Sequence, residues 1–188
     1  MTTLTTDRLV LRPFGAGDAE AHARLYADPE VTCWLGDGPW YGEVARARST
    51  LSLQRFAEHW ATHGWGVWAV TDRYTGRVMG QCGLKYLQLG PESTPPDVEV
   101  LYALEPRYWG RGFASEAAGK ALQHAFEALA LARVVAVARP DNHGSRAVMD
   151  KIGLIHEGPV VVAGLPAVCY AQSRAGHLAH VAAARARA

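Results

Sequence analysis

Pro106-Arg-Tyr-Trp-Gly-Arg-Gly-Phe-Ala-Ser-Glu116 is the segment of this 188-residue chain whose residue types point most directly to chemistry. Gly110, Gly112 and Ala114 are small, so backbone N–H groups can approach a ligand closely. Those N–H groups open a helix whose N-terminal dipole attracts anions, which makes a phosphate or pyrophosphate the natural guest. The spacing is not G-x-x-x-x-G-K-[ST], and no acidic residue about 20 positions later ends a second strand. A nucleoside triphosphatase and a dinucleotide-binding dehydrogenase are therefore disfavoured. A tight turn with close packing would use the same small residues. The company of the loop favours a site: Glu99 lies on the preceding strand, and Asn142 and Ser145 follow the next strand, where the crossover returns the chain beside the loop. Strand, loop and polar turn can line one groove.

Other reactive side chains carry weaker signals. His59 and His63 stand at i, i+4, a spacing that can share a metal, but the intervening Trp-Ala-Thr lacks the glutamate of H-E-x-x-H and no third ligand is apparent. They read as a solvated helix face, and no metal is expected. Cys33, Cys82 and Cys169 are far apart without a C-x-x-C, so neither a disulfide framework nor a cysteine zinc site is indicated, and a covalent route through one of them is disfavoured.

The elements that must position these residues follow from periodicity and turn chemistry. Leu9 to Phe14 reads as a strand, and Asp18 caps a helix over 19–27 that Asp28-Pro29 ends. A Gly, Pro and Trp-rich loop (33–41) leads into a second helix over about 43–62. Residues 66–71 and 78–86 form a hairpin around Gly76, Pro91–Pro96 is a loop, and Val98–Leu104 is a third strand of the central sheet. A long alanine-rich amphipathic helix follows over 112–131, then a buried strand at 134–137. Strand, helix, strand is a βαβ unit, so its two strands run parallel. A short helix from Ser145 to Ile152 stops at Gly153, and two strands near 154–163 and 167–174 are joined by Gly164-Leu-Pro166. The Ala/Arg/His tail (175–188) has polarity on both sides, so it frays or forms a helix needing a partner.

With 49% hydrophobic and 20% charged residues the composition is that of an ordinary folded domain, long enough to bury roughly 70% of its unfolded surface. The formal charge is +1, so no global field points to nucleic acid or an anionic membrane. The opening residues lack a secretory pattern and no run approaches the ~18 apolar residues of a membrane span, so a cytoplasmic protein is expected. A DNA-binding adaptor is disfavoured by the absence of a basic stripe.

Taken together, the sequence resembles the GNAT superfamily of N-acetyltransferases. Its [Q/R]-x-x-G-x-[G/A] pattern lies over Trp109-Gly-Arg-Gly112-Phe-Ala114, and Trp in the first place matches the Tyr-Trp-Gly-x-Gly-x-Ala-x-Glu-Ala form of the branch containing the ribosomal-protein-alanine N-acetyltransferases. Thr6-Asp-Arg-Leu-Val-Leu-Arg-Pro-Phe14, Val98-Glu99 to Tyr102, Asn142-x-x-Ser145, and Lys151-Ile-Gly-Leu154 with Glu157-Gly158 extend the resemblance along nearly the whole chain.

The resemblance implies one α/β (α+β) domain over residues 1–174, with a mixed central sheet flanked by helices and splayed where acetyl-CoA sits; residues 175–188 form the tail. It implies that Tyr102, Ala103 and Leu104 lie along the pantetheine arm. Trp109, Gly110, Arg111, Gly112, Phe113, Ala114 and Ser115 would wrap the pyrophosphate, Asn142 would contact the pantetheine, and Ser145 would face the thioester sulfur. Trp34, Trp40 and Tyr41 fall in the loop that borders the acceptor in this family; they could equally plug a small core.

The implied reaction is direct attack of a primary amine, on a protein N-terminus or a small molecule, upon the thioester of acetyl-CoA. A lysine-type amine (pKa ~10.4) needs a base more than an α-amine (~8), and Glu99 is the candidate. A structural ion pair is its alternative role. A thiol pKa near ~8.5 lets a weak acid serve the leaving thiolate, and Ser145, itself a candidate helix cap, is that candidate, with Tyr102 and Tyr170 as other possible donors. The competing class is a non-catalytic acyl-CoA-binding or regulatory module. A monomer or homodimer is expected.

Overall fold

The alternating apolar runs assemble into one eight-stranded sheet in the computed structural model, which describes residues 1–89 and 96–185. The strands β1 (Leu4–Thr5), β2 (Leu9–Pro13), β3 (Val67–Asp72), β4 (Val78–Leu87), β5 (Asp97–Leu104), β6 (Arg133–Ala138), β7 (Ile155–Val162) and β8 (Leu165–Ser173) lie in the order β1-β2-β3-β4-β5-β6-β8-β7. Neighbours are antiparallel except β5 and β6, which run parallel as the βαβ pattern requires. The helices are α1 (Ala19–Ala27), α2 (Pro29–Thr32), α3 (Gly42–His63), α4 (Phe113–Gln123), α5 (His143–Lys151) and α6 (Arg174–Arg185).

Side-chain alternation along β5 assigns the two faces of the sheet. Val98, Val100 and Leu104 join Ala117, Ala118 and Phe126 in the main core, beneath α4 and α5. Ala117, Ala118 and Ala121 of α4 are fully buried, and their small size brings the helix down onto the strands. Ala103, on the other face, packs with Leu25, Tyr26 and Val31 from α1 and α2. Gly83 of β4 is a requirement of close approach: a Cβ there would stand 2.3 Å from Val67 Cα and 2.5 Å from the Gly66 carbonyl.

Several elements differ from the sequence reading. β1 and α2 are too short to show a period, and α2 starts because Pro29 sits at its first turn while Asp28 accepts from the Glu30 N–H at 2.9 Å. The long helix is α-helical only to Gln123 and continues as a π-turn over His124–Ala128. There, Phe126 O accepts from Arg174 Nε at 3.0 Å. The β7–β8 connection is Ala163-Gly164, both at positive φ, and the strand resumes at Leu165 rather than after Pro166. The tail forms α6, with His177 buried against the Phe126 ring at 4.9 Å. Of the loop expected over Pro91–Pro96, residues 91–95 lie outside the described residues, as do 186–188.

Candidate active site

The parallel pair β5–β6 is in register at one position among the described residues, Glu99 with Val135. Beyond it the strands part, so the β6-facing edge of β5 from Val100 to Leu104 carries no partner strand. β4 occupies the opposite edge through the whole of this stretch, from Gly80↔Leu104 to Leu84↔Val100. The result is a wedge-shaped opening in the middle of the sheet, with α4 starting above one wall and α5 above the other.

At the head of the wedge the chain makes a 3-10 turn (Pro106–Tyr108), then passes Gly110 (φ +70°) and Gly112 (φ +79°), conformations that favour glycine. The first backbone bond of α4 runs from the Glu116 N–H to Gly112 O at 3.0 Å, leaving the N–H groups of Phe113, Ala114 and Ser115 ahead of it. A Cβ on Gly110 would meet nothing within 4 Å, and one on Gly112 would meet only Arg8 Nη2 at 3.5 Å. Backbone donors, a helix N-terminus and open space fit a pyrophosphate group. Arg111 is exposed with its guanidinium 4.9 Å above the buried Phe113 ring. Trp109 turns back, its indole N–H donating to Leu104 O at 2.7 Å, so that carbonyl is already engaged.

Tyr102 crosses the wedge. Its hydroxyl lies 2.9 Å from Ser145 O and 3.0 Å from Ser145 Oγ, joining β5 to the first turn of α5. Burial pushes the Tyr102 phenol above its ordinary value despite the Ser145 contact, which keeps it a proton donor at neutral pH. Asn142, not Ser145, caps α5: Asn142 Oδ1 accepts from the Ser145 N–H at 2.9 Å. The alternative reading of Ser145 as the cap is thereby corrected, because the helix begins two residues earlier than its expected start. Tyr170 is buried and engaged with Arg146 Nε at 3.3 Å.

Glu99 projects from the opposite face of β5, on the side of α1 and Ala103. Its side chain is 9% exposed, and Lys85 Nζ stands 3.2 Å from Oε2. That is ion-pair distance but off the direction of a hydrogen bond, so the buried oxygen retains an unfilled acceptor position. Trp40 stacks on Tyr26 at 5.7 Å and packs on the Ala103 cluster, while its indole N–H donates to Asp37 Oδ1 at 3.0 Å. Trp34 is half-buried and Tyr41 is exposed. Arg139, just past β6, donates from Nη1 to Cys33 O at 3.1 Å, which ties the 33–41 loop across the opening.

Sequence reasoning missed two contributors. Arg139 carried no motif signal. His22 of α1 is 1% exposed, with Nδ1 2.7 Å from Ser49 Oγ and Nε2 2.8 Å from Gln81 Oε1, so it joins α1, α3 and β4 behind the Glu99 face. Burial lowers its pKa to about 4, so it is neutral, donating through one nitrogen and accepting through the other. The solvated face expected at His59 and His63 is corrected for His59, which packs against Trp65 at 4.5 Å because β3 begins beneath the end of α3. No group of three or more potential metal ligands gathers among the described residues.

The Acetyltransferase (GNAT) domain family matches residues 8–155, spanning the glycine loop, Tyr102 and Ser145. The chain belongs to the GNAT acetyltransferase family. Membership makes it an acyl-CoA-dependent N-acetyltransferase. The chain is 30% identical over 164 residues to "Uncharacterized N-acetyltransferase p20" of Bacillus licheniformis, covering 84% of this chain and 85% of the relative. An acetyltransferase structure from Agrobacterium tumefaciens is 28% identical, with a TM-score of 0.78 over 92% of this chain and 94% of that one. A ribosomal L7/L12 alpha-N-protein acetyltransferase, solved in complex with coenzyme A, shares the GNAT fold at a TM-score of 0.72 and 17% identity, covering 92% and 98% of the two chains.

Proposed function

We propose that this GNAT enzyme transfers the acetyl group of acetyl-CoA to a primary amine by direct attack, with the acyl donor lying in the β5–β6 opening. The observation that carries the reading is the parting of β5 and β6 beyond their single position of register, on the stretch of β5 that leads into the glycine loop. An extended, amide-bearing arm can use the unpaired edge of β5 as a strand would, while the N–H groups of residues 112–115 take the pyrophosphate.

Glu99, whose Oε2 lies 3.2 Å from Lys85 Nζ, receives the amine's proton, directly or through a water. A β5 backbone N–H beside the opening polarises the thioester carbonyl. Tyr102, hydrogen-bonded to Ser145, donates a proton to the departing thiolate on the other face. Trp34, Trp40 and Tyr41 wall the acceptor side, where aromatic faces suit a cationic amine before it is deprotonated.

An acceptor screen that follows release of free CoA thiol across peptides, amino acids, polyamines and aminoglycosides tests this. Amine-dependent release is expected. Tight CoA binding with no release for any acceptor would replace the reading with a non-catalytic CoA-binding module.

A further inference from the structure

Two motif pieces that lie far apart in sequence meet at the glycine loop. Glu116, in the first turn of α4, accepts from Thr6 Oγ1 at 2.6 Å, the Arg8 N–H at 3.0 Å and Arg8 Nε at 2.7 Å, and Arg8 Nη2 stands 2.6 Å from its Oε2. The same guanidinium donates from Nη1 to Arg111 O at 3.1 Å and lies 4.2 Å above the Phe113 ring. Arg8 therefore grips the loop at its carboxylate, its backbone and its aromatic residue. Burial alone would lift the Glu116 carboxyl, but the donations from Thr6 and Arg8 outweigh it and hold it below the usual carboxylate range.

Charge gives this contact a role beyond holding the chain. A carboxylate in the first turn of a helix favours the helix dipole, yet it repels an anion bound at that same N-terminus. The forked pairing of Arg8 with Glu116 cancels that repulsion and leaves the backbone donors to act on the guest. We infer that Arg8 and Glu116 are positioning residues for the acyl-CoA pyrophosphate: the pair orients the glycine loop and masks a carboxylate that would otherwise oppose the ligand. The inference rests on the reading of this loop as a pyrophosphate cradle.

The two partners are then unequal, which a pair acting only as a structural pin would not be. Arg8→Gln leaves an uncovered carboxylate beside the phosphates, whereas Glu116→Gln leaves an extra cation. Calorimetry with CoA is expected to give a Kd weakened about tenfold or more for Arg8→Gln and by less for Glu116→Gln. The Arg8→Gln/Glu116→Gln double variant should bind more tightly than Arg8→Gln alone. Arg8→Lys, which keeps the charge, should recover most of the affinity, and the Arg8→Gln deficit should shrink as salt rises. In steady-state assays the loss should fall on KM for acetyl-CoA more than on kcat. Equal losses in the two single variants, with a double variant no better than either, would overturn the masking role. If the unaltered protein failed to bind CoA, the cradle reading itself would fall, an outcome distinct from any pattern among variants.

Discussion

Glu99 and Tyr102, three residues apart on β5, project from opposite faces of one strand, Glu99 at the position paired with β6 and Tyr102 on the unpaired stretch beyond it. Odd spacing on a pleated strand makes this unavoidable. The carboxylate thus lies on the α1 side of the sheet and the phenol on the α5 side. Proton removal from an incoming amine and proton delivery to an outgoing thiolate belong on opposite sides of a reacting carbonyl, and the mechanism proposed above assigns them to these two side chains.

Glu99→Gln is expected to lower kcat by about 10²-fold, the ordinary scale of a general base. Acetyl-CoA affinity should stay near that of the unaltered protein. The deficit should be largest below the acceptor's pKa, where the amine arrives protonated. Superimposable pH–rate profiles for the two proteins would remove Glu99 as the base.

Tyr102→Phe is expected to reduce kcat more than Ser145→Ala does, because the proposed mechanism has the phenol deliver the proton and the Ser145 hydroxyl, 3.0 Å away, orient it. The loss should lie at or below about 10²-fold, since a thiolate is a tolerable leaving group. Donors with more acidic thiols should narrow the gap between Tyr102→Phe and the unaltered enzyme. A constant ratio across a series of leaving groups would count against proton delivery by Tyr102.

Arg139→Ala removes the donor to Cys33 O that ties the 33–41 loop across the opening. Backbone amides of that loop should exchange faster with deuterium, and KM for the amine should rise several-fold. Affinity for CoA should move less, because the glycine loop lies elsewhere. Unchanged exchange across residues 33–41 would remove Arg139 as the tie that holds the loop.

His22 links stability to pH. Its folded-state pKa of about 4 lies below the ordinary 6.5, so the unfolded chain binds more protons between these values. Its contribution is fully present above about pH 6.5 and is lost as the pH falls toward 4, a range worth on the order of 3 kcal/mol. Urea unfolding from pH 7.5 to 4.5 should show this decline, with a shallower slope for His22→Gln. An identical slope in the variant would assign the decline to other groups.

The order of the strands and helices around the site was legible because each long element carries its own signal. Gly110 and Gly112 announce a turn, the alanines from 114 to 125 announce a helix face, and a strand on either side of that helix dictates a parallel pair. Elements as short as β1 and α2 left no period to read. The π-turn at His124–Ala128, with Phe126 O bonded to Arg174, depends on contacts from the far end of the chain.

The sequence by itself determined which residues have the right chemistry: a carboxylate at 99, a phenol at 102, small residues at 110 and 112, and a polar turn at 142–145. Tertiary structure decided their relationships. It put Ser145 against Tyr102, Arg139 against the Cys33 carbonyl and Arg8 against Glu116, and it folded His22 into a neutral link behind the site. The physical reason is that local sequence sets periodicity and capping within a few residues. Which side chains meet across 40 to 110 positions is set by the packing of the whole sheet and its helices.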